Sequence, residues 1–247
     1  MGIALERIGS YVQLLREVFK RPQRHRMFLR ELIREVYVQG VGSIWIVVLV
    51  SFFLGAVLTM QLGINMSHPL IPKFTIGYAT REIVLLEFSS TIMCMILAGK
   101  CGSSIASEIG TMRITEQLDA MDIMGVNSAN YVILPKIIGM MIFVPVLVMI
   151  SMLVGLGGGY LACLLSSNIP ISQFESGLQL FFKPYNIFYS VVKSLFYVFF
   201  IASIASYFGY NVRGGALEVG RASTKAVVMS NVAILICDLA LTQLMLM

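Results

Sequence analysis

Long uncharged apolar stretches decide what this chain can fold into. Residues Ser43 to Ile64 carry no charge, and neither does any residue between Lys136 and Glu175. Roughly 20 such residues in a helix cross a bilayer core, because a helix satisfies its own backbone groups in hydrocarbon. Of the 247 residues, 57% are hydrophobic and only 13% are charged. Mean hydropathy is +0.84. A soluble globule of this length lacks the polar side chains to cover its surface. The composition therefore excludes an ordinary cytosolic enzyme, a disordered chain and a nucleic-acid-binding domain. The expectation is an all-α integral membrane protein, one domain over residues 1–247.

Five spans follow from the pattern. They run from about Ser43 to Ile64, Tyr78 to Ser103, Lys136 to Leu165, Tyr185 to Tyr210, and Ala226 to the C-terminus. Residues 1–40 have no apolar core long enough for a signal peptide. Ile8, Tyr11, Val12, Leu15, Val18 and Phe19 instead recur at helical spacing. Pro22 interrupts them, and Phe28, Leu29, Leu32, Ile33, Val36 and Tyr37 resume the period. Two N-terminal interfacial amphipathic helices fit this pattern.

Basic residues choose the orientation. Arg7, Arg16, Lys20, Arg21, Arg24, Arg26, Arg30 and Arg34 precede residue 40. With the N-terminus cytoplasmic, that side also gains Lys100, Arg113, Lys136, Arg213, Arg221 and Lys225. The other side holds Lys73, Arg81, Lys183 and Lys193. Fourteen against four places the N-terminus inside and the C-terminus outside. The basic tail suits an anionic membrane surface. Nucleic acid is the weaker reading, because no aromatic-rich basic platform accompanies the charge.

A charge inside a span is expensive and so marks a functional candidate. Glu87 and Lys193 lie nine and eight residues after the outer starts of spans two and four. Both sit about 12–14 Å deep at a helical rise. Opposite sign at equal depth predicts an ion pair facing a polar cavity. Asp238 has no obvious partner at its depth, and a local hydrogen bond explains it as well as a transport role does.

Ala98, Gly102, Ala106 and Gly110, and separately Gly155 and Gly159, repeat at four-residue spacing. Such ridges let helices approach closely in lipid. Between spans two and three, Glu108, Arg113, Glu116, Asp119 and Asp122 form an acidic surface, with Ile109, Met112, Leu118 and Met121 on the apolar side. Docking of another protein and simple covering of the bundle ends fit this helix equally.

Catalytic chemistry finds no residues. There is no GxxxxGK[ST] and no HExxH, and His25 and His68 fall on opposite sides of the membrane. Cys94, Cys101, Cys163 and Cys237 sit in apolar segments without a CxxC pair, so they read as buried thiols. The expectation is a non-enzyme with no catalytic residue, metal or cofactor of its own.

The segment AGKCGSSIASEIGTMRITEQLDAMDIMGV, Ala98 to Val126, resembles the signature of the MlaE/YrbE permeases. Ala98, Gly99, Gly102, Glu108, Ile109, Gly110, Met112, Thr115, Glu116, Gln117, Leu118, Ala120 and Met121 fit it, and Lys100 stands for the usual arginine. A second match is GRASTKAVVMSNVAIL, Gly220 to Leu235.

The resemblance implies a homodimeric permease of an ABC-type transporter, moving phospholipid between the inner and outer membranes of a Gram-negative-type bacterium and so serving outer membrane asymmetry. It implies a separate ATPase that uses ATP and Mg, an MCE-domain substrate-binding protein, and a small STAS-domain subunit. It implies a coupling helix at about 107–124, with Glu108, Arg113, Glu116, Gln117, Asp119 and Met121 meeting the ATPase. It implies a lipid pocket lined by Leu58, Gln61, Met66, Glu87 and Lys193. Relatives often have an RELGP-like stretch around the span-two glutamate. Here it reads Leu86-Glu87-Phe88-Ser89-Ser90, so the pocket's shape and charge should differ. A membrane scaffold that anchors the MCE and ATPase subunits without its own lipid pathway is the alternative.

Overall fold

The computed structural model describes residues 2–20, 25–66, 72–166 and 169–246. Pro22 and His68, used above as a break and a loop marker, lie outside the described residues. The described residues form helices and turns, without strands. In chain order the helices are α1 (Gly2–Val18), α2 (His25–Glu35), α3 (Gly42–Asn65), α4 (Phe74–Ile83), α5 (Met93–Leu97), α6 (Ser103–Ile114), α7 (Gln117–Ile123), α8 (Ser128–Leu165), α9 (Ile171–Gln179), α10 (Tyr185–Tyr210) and α11 (Ala216–Leu246). Wider π-helical turns join α2 to α3 (Val36–Val41), α4 to α5 (Val84–Ile92) and α5 to α6 (Ala98–Gly102).

Five continuous helices are long and apolar enough to cross a membrane: Met27–Asn65, Phe74–Ile114, Ser128–Leu165, Tyr185–Tyr210 and Ala216–Met245. Span four has the limits expected from sequence. The other spans are longer than expected. The second amphipathic segment continues into span one, because no proline separates them and the π turn absorbs Gly40. Span three begins at Ser128, before Lys136, and keeps Pro135 and Pro145 inside it. A membrane helix tolerates such prolines where neighbouring groups satisfy the freed backbone.

By contacts the chain divides into two compact units. The first comprises Met1–Gly42, Met95–Phe143 and Phe196–Ala240; the second comprises Ser43–Cys94, Val144–Leu195 and Leu241–Met247.

In the first unit α1 packs one face on α10. Val18 and Leu14 are buried, the Ser10 and Tyr207 hydroxyls meet at 2.7 Å, and Tyr11 meets Ser203 at 2.7 Å. Burial pushes the Tyr11 hydroxyl above the usual phenol range. Ile8 and Val12 stay exposed, leaving an apolar face for the membrane interface. Asn130 Nδ2 donates to the Val18 and Lys20 carbonyls, 2.6 Å each, and so covers carbonyls that the end of α1 leaves open. The small-residue ridge of α6 lies against α10, where Gly209 backs onto the Ala106 carbonyl.

In the second unit glycines bring α3 and α8 together. A Cβ at Gly55 would overlap the Gly155 carbonyl, and one at Gly158 would overlap the Phe52 carbonyl. Ser51 Oγ donates to Ser151 Oγ at 2.8 Å across the same contact. A cluster of Ile76, Cys163, Ile169 and Phe174 closes another part of this unit.

Candidate functional site

Lys193 stands on α10 with its side chain fully buried. Its Nζ lies 3.1 Å from Glu87 Oε1, donates to the Leu86 carbonyl at 3.4 Å, and sits 4.8 Å from the Tyr189 ring centre. Glu87 lies in the Val84–Ile92 π turn, and its side chain is 42% exposed. Thr91 Oγ1 donates to its second oxygen at 3.1 Å. A change between α and π bonding puts nearby carbonyls out of register, which frees them for side-chain donors. The Leu85 carbonyl takes the Ser190 hydroxyl, and the Leu86 carbonyl takes Lys193. The wide turn thus aims Glu87 and fastens it to α10. The pair leaves a carboxylate edge open beside a buried cation, an arrangement that can meet a polar or charged group.

The remaining residues expected around the pocket lie on or beside α3. Leu58 is half-buried, and Gln61 is exposed among exposed Val57, Met60 and Ile64. Met66 packs on the Ile76–Phe174 cluster. Asp238 accepts a 2.7 Å hydrogen bond from the buried Tyr197 hydroxyl.

Sequence reasoning missed a second buried lysine. Lys136, 2% exposed, lies 2.5 Å from Glu35 Oε1 and 2.7 Å from Glu108 Oε2. The other Glu35 oxygen is buried without a partner among the described residues. This triad ties α2, α6 and α8 together. Arg81 was also missed as an anchor. It is buried, donates to the Leu178 and Leu180 carbonyls at 2.7 and 2.8 Å, and pairs with Glu82 at 2.7 Å. It thereby holds the turn in which Phe181 adopts a left-handed φ of 53°.

The segment 107–124, expected as one helix, is two. The chain turns at Glu116, whose φ is 60°, between α6 and α7. Arg113 reaches across the turn to Asp119 at 2.5 Å and lies over the Tyr210 ring. Leu118 is buried, and Met121 is half-buried. Glu116 and Gln117 are exposed, as are Ile123 and Met124. Glu108, grouped with these by sequence, bonds Lys136 instead of standing free on that surface.

Five long apolar helices with lysines neutralised inside them define a polytopic membrane protein. Residues 32–244 match the family model described as Permease MlaE. The chain belongs to the MlaE permease family, whose members are permeases of ABC transporters. It is 33% identical to a probable ABC transporter permease protein of Rickettsia bellii, over 88% of this chain and 84% of the relative. It is 30% identical to one of Synechocystis sp., over 99% and 93%, and 28% identical to one of Pyropia yezoensis, over 98% and 91%.

Proposed function

We propose that this permease moves phospholipids between the inner and outer membranes of a Gram-negative-type bacterium. It sits in the inner membrane with its N-terminus cytoplasmic and its C-terminus periplasmic. It works as a homodimer with a separate ATPase that uses ATP and Mg, an MCE-domain protein outside and a STAS-domain subunit inside. The Glu87–Lys193 pair carries this reading. A half-open carboxylate backed by a buried cation offers a charged group to a lipid headgroup. Exposed Gln61 supports a cavity completed by a second copy, because a polar side chain among lipid-facing apolar ones gains from an enclosed polar partner.

The exposed edge of Glu116, Gln117, Ile123 and Met124 is the surface offered to the ATPase. The left-handed turn at Glu116 presents it as a corner.

The test is the whole complex, purified with native lipids and assayed for lipid transfer. Glu87→Lys alone should abolish transfer. The double variant Glu87→Lys with Lys193→Glu restores attraction but inverts the field. Transfer should stay lost if the pair reads a headgroup and recover if it only holds the helices. A complex with no lipid at the dimer axis and unchanged transfer in both variants favours the scaffold. Glu116→Lys should reduce copurification of the ATPase while the permease still inserts.

A further inference from the structure

The second sequence motif, Gly220 to Leu235, shares no residue with the Glu87–Lys193 pair. Its first half instead lines a hollow of about 490 Å³ between the end of α10 and the start of α11. Three cations stand there: Arg213, Arg221 and Lys225. Glu218 neutralises Arg221 at 2.6 Å. Arg213 and Lys225 are exposed and have no ion-pair partner among the described residues. Orientation by positive charge accounts for cations at this end of the helices. It does not account for a hollow that also has an apolar part, with Phe208, Val212, Val228 and Met229 in its lining. Val228 and Met229 form its lower edge and are exposed. Val232, Leu235 and Leu239 follow Val228 along one face of α11, all exposed.

Cations above and an apolar stripe beneath match a lipid with an anionic head. A free anion makes no use of the stripe, and a zwitterionic head brings its own cation into a positive hollow. Basic hollows between helix ends are where anionic headgroups settle. We propose that Arg213 and Lys225, beside the Arg221–Glu218 pair, hold the phosphate of a resident anionic phospholipid, whose acyl chains lie along Val228, Val232 and Leu235. The site binds a lipid that stays, and it stands whether or not the Glu87–Lys193 reading holds.

The experiment uses the full chain in detergent micelles and native mass spectrometry, with phosphatidylglycerol and phosphatidylcholine as probes. Phosphatidylglycerol should be retained about tenfold better, and R213Q/K225Q should erase that preference. The variant R16Q/K20Q removes the same charge from α1 and should keep it. An unchanged thermal transition in R213Q/K225Q confirms that it folds. Equal retention of both lipids overturns the proposal, as does equal loss in both double variants. Displacement by excess inorganic phosphate alone overturns it in favour of a free-anion site. Efficient Val232→Cys cross-linking between two copies, with no lipid retained, overturns it in favour of a protein contact.

Discussion

Lys136 and Lys193 are both buried in long helices, and each meets a glutamate whose side chain is 42% exposed. Their surroundings differ. Lys136 has a second, buried carboxylate, Glu35, at 2.5 Å. Around Lys193 stand the Leu86 carbonyl and the Tyr189 ring. The triad carries one more negative charge than positive and is bound to the fold on three helices. In the pair, Thr91 is the one further side chain that holds the Glu87 carboxylate among the described residues. An ion group that joins three helices and buries one of its carboxylates locks them together. One whose half-exposed glutamate stands beside a fully buried cation keeps the capacity to bind.

The comparison breaks most readily at Lys136. Lys136→Met should leave Glu35 buried and unpaired, costing about 3–5 kcal/mol. Thermal unfolding in detergent and the yield of inserted protein should both fall. Glu87→Gln keeps a hydrogen-bond acceptor beside Lys193, so its stability loss should be smaller, about 1–3 kcal/mol. Its lipid transfer should fall further than its stability. Equal proportional losses in the two variants would erase the distinction between lock and binding group. Tyr197→Phe removes one hydrogen bond to Asp238 and should cost about 1–2 kcal/mol without changing headgroup selectivity. Glu108→Gln should cost least, under about 1 kcal/mol, because Lys136 keeps Glu35 and the lost carboxylate is half-exposed. A larger loss there would mean that Glu108 does more than share Lys136.

Glu87 and Lys193 were legible because each interrupts an apolar run at a countable depth. The limits of span four were legible for a similar reason, with Pro184 and Asn211 marking its ends. The triad was not. Glu35 ends an amphipathic stretch, Lys136 follows a proline, and Glu108 sits in a polar motif, so each read as a boundary or surface residue. Lys136 even shortened the expected third span, since its charge looked like an end and is in fact neutralised within the helix. The turn at Glu116 was hidden because its neighbours keep helical spacing and no glycine marks the left-handed position. Gln61 was placed by family resemblance, and only the structure puts it among exposed apolar neighbours. The three π turns leave no trace in a period count that assumes 3.6 residues per turn.

The π turn at Val84–Ile92 makes the ion pair a matter of counting as well as chemistry. It spends about one residue more per turn than an α-helix does. Deleting a single residue there, without touching Glu87, would let the segment relax into plain α phase. The flanking helices would keep their phase, but the Leu85 and Leu86 carbonyls would return to the helix's own donors, and Ser190 and Lys193 would lose them while the sequence kept every charge. The length of this stretch is therefore under as tight a constraint as its composition, and a gap of one residue in it should disable the pair as surely as replacing Glu87.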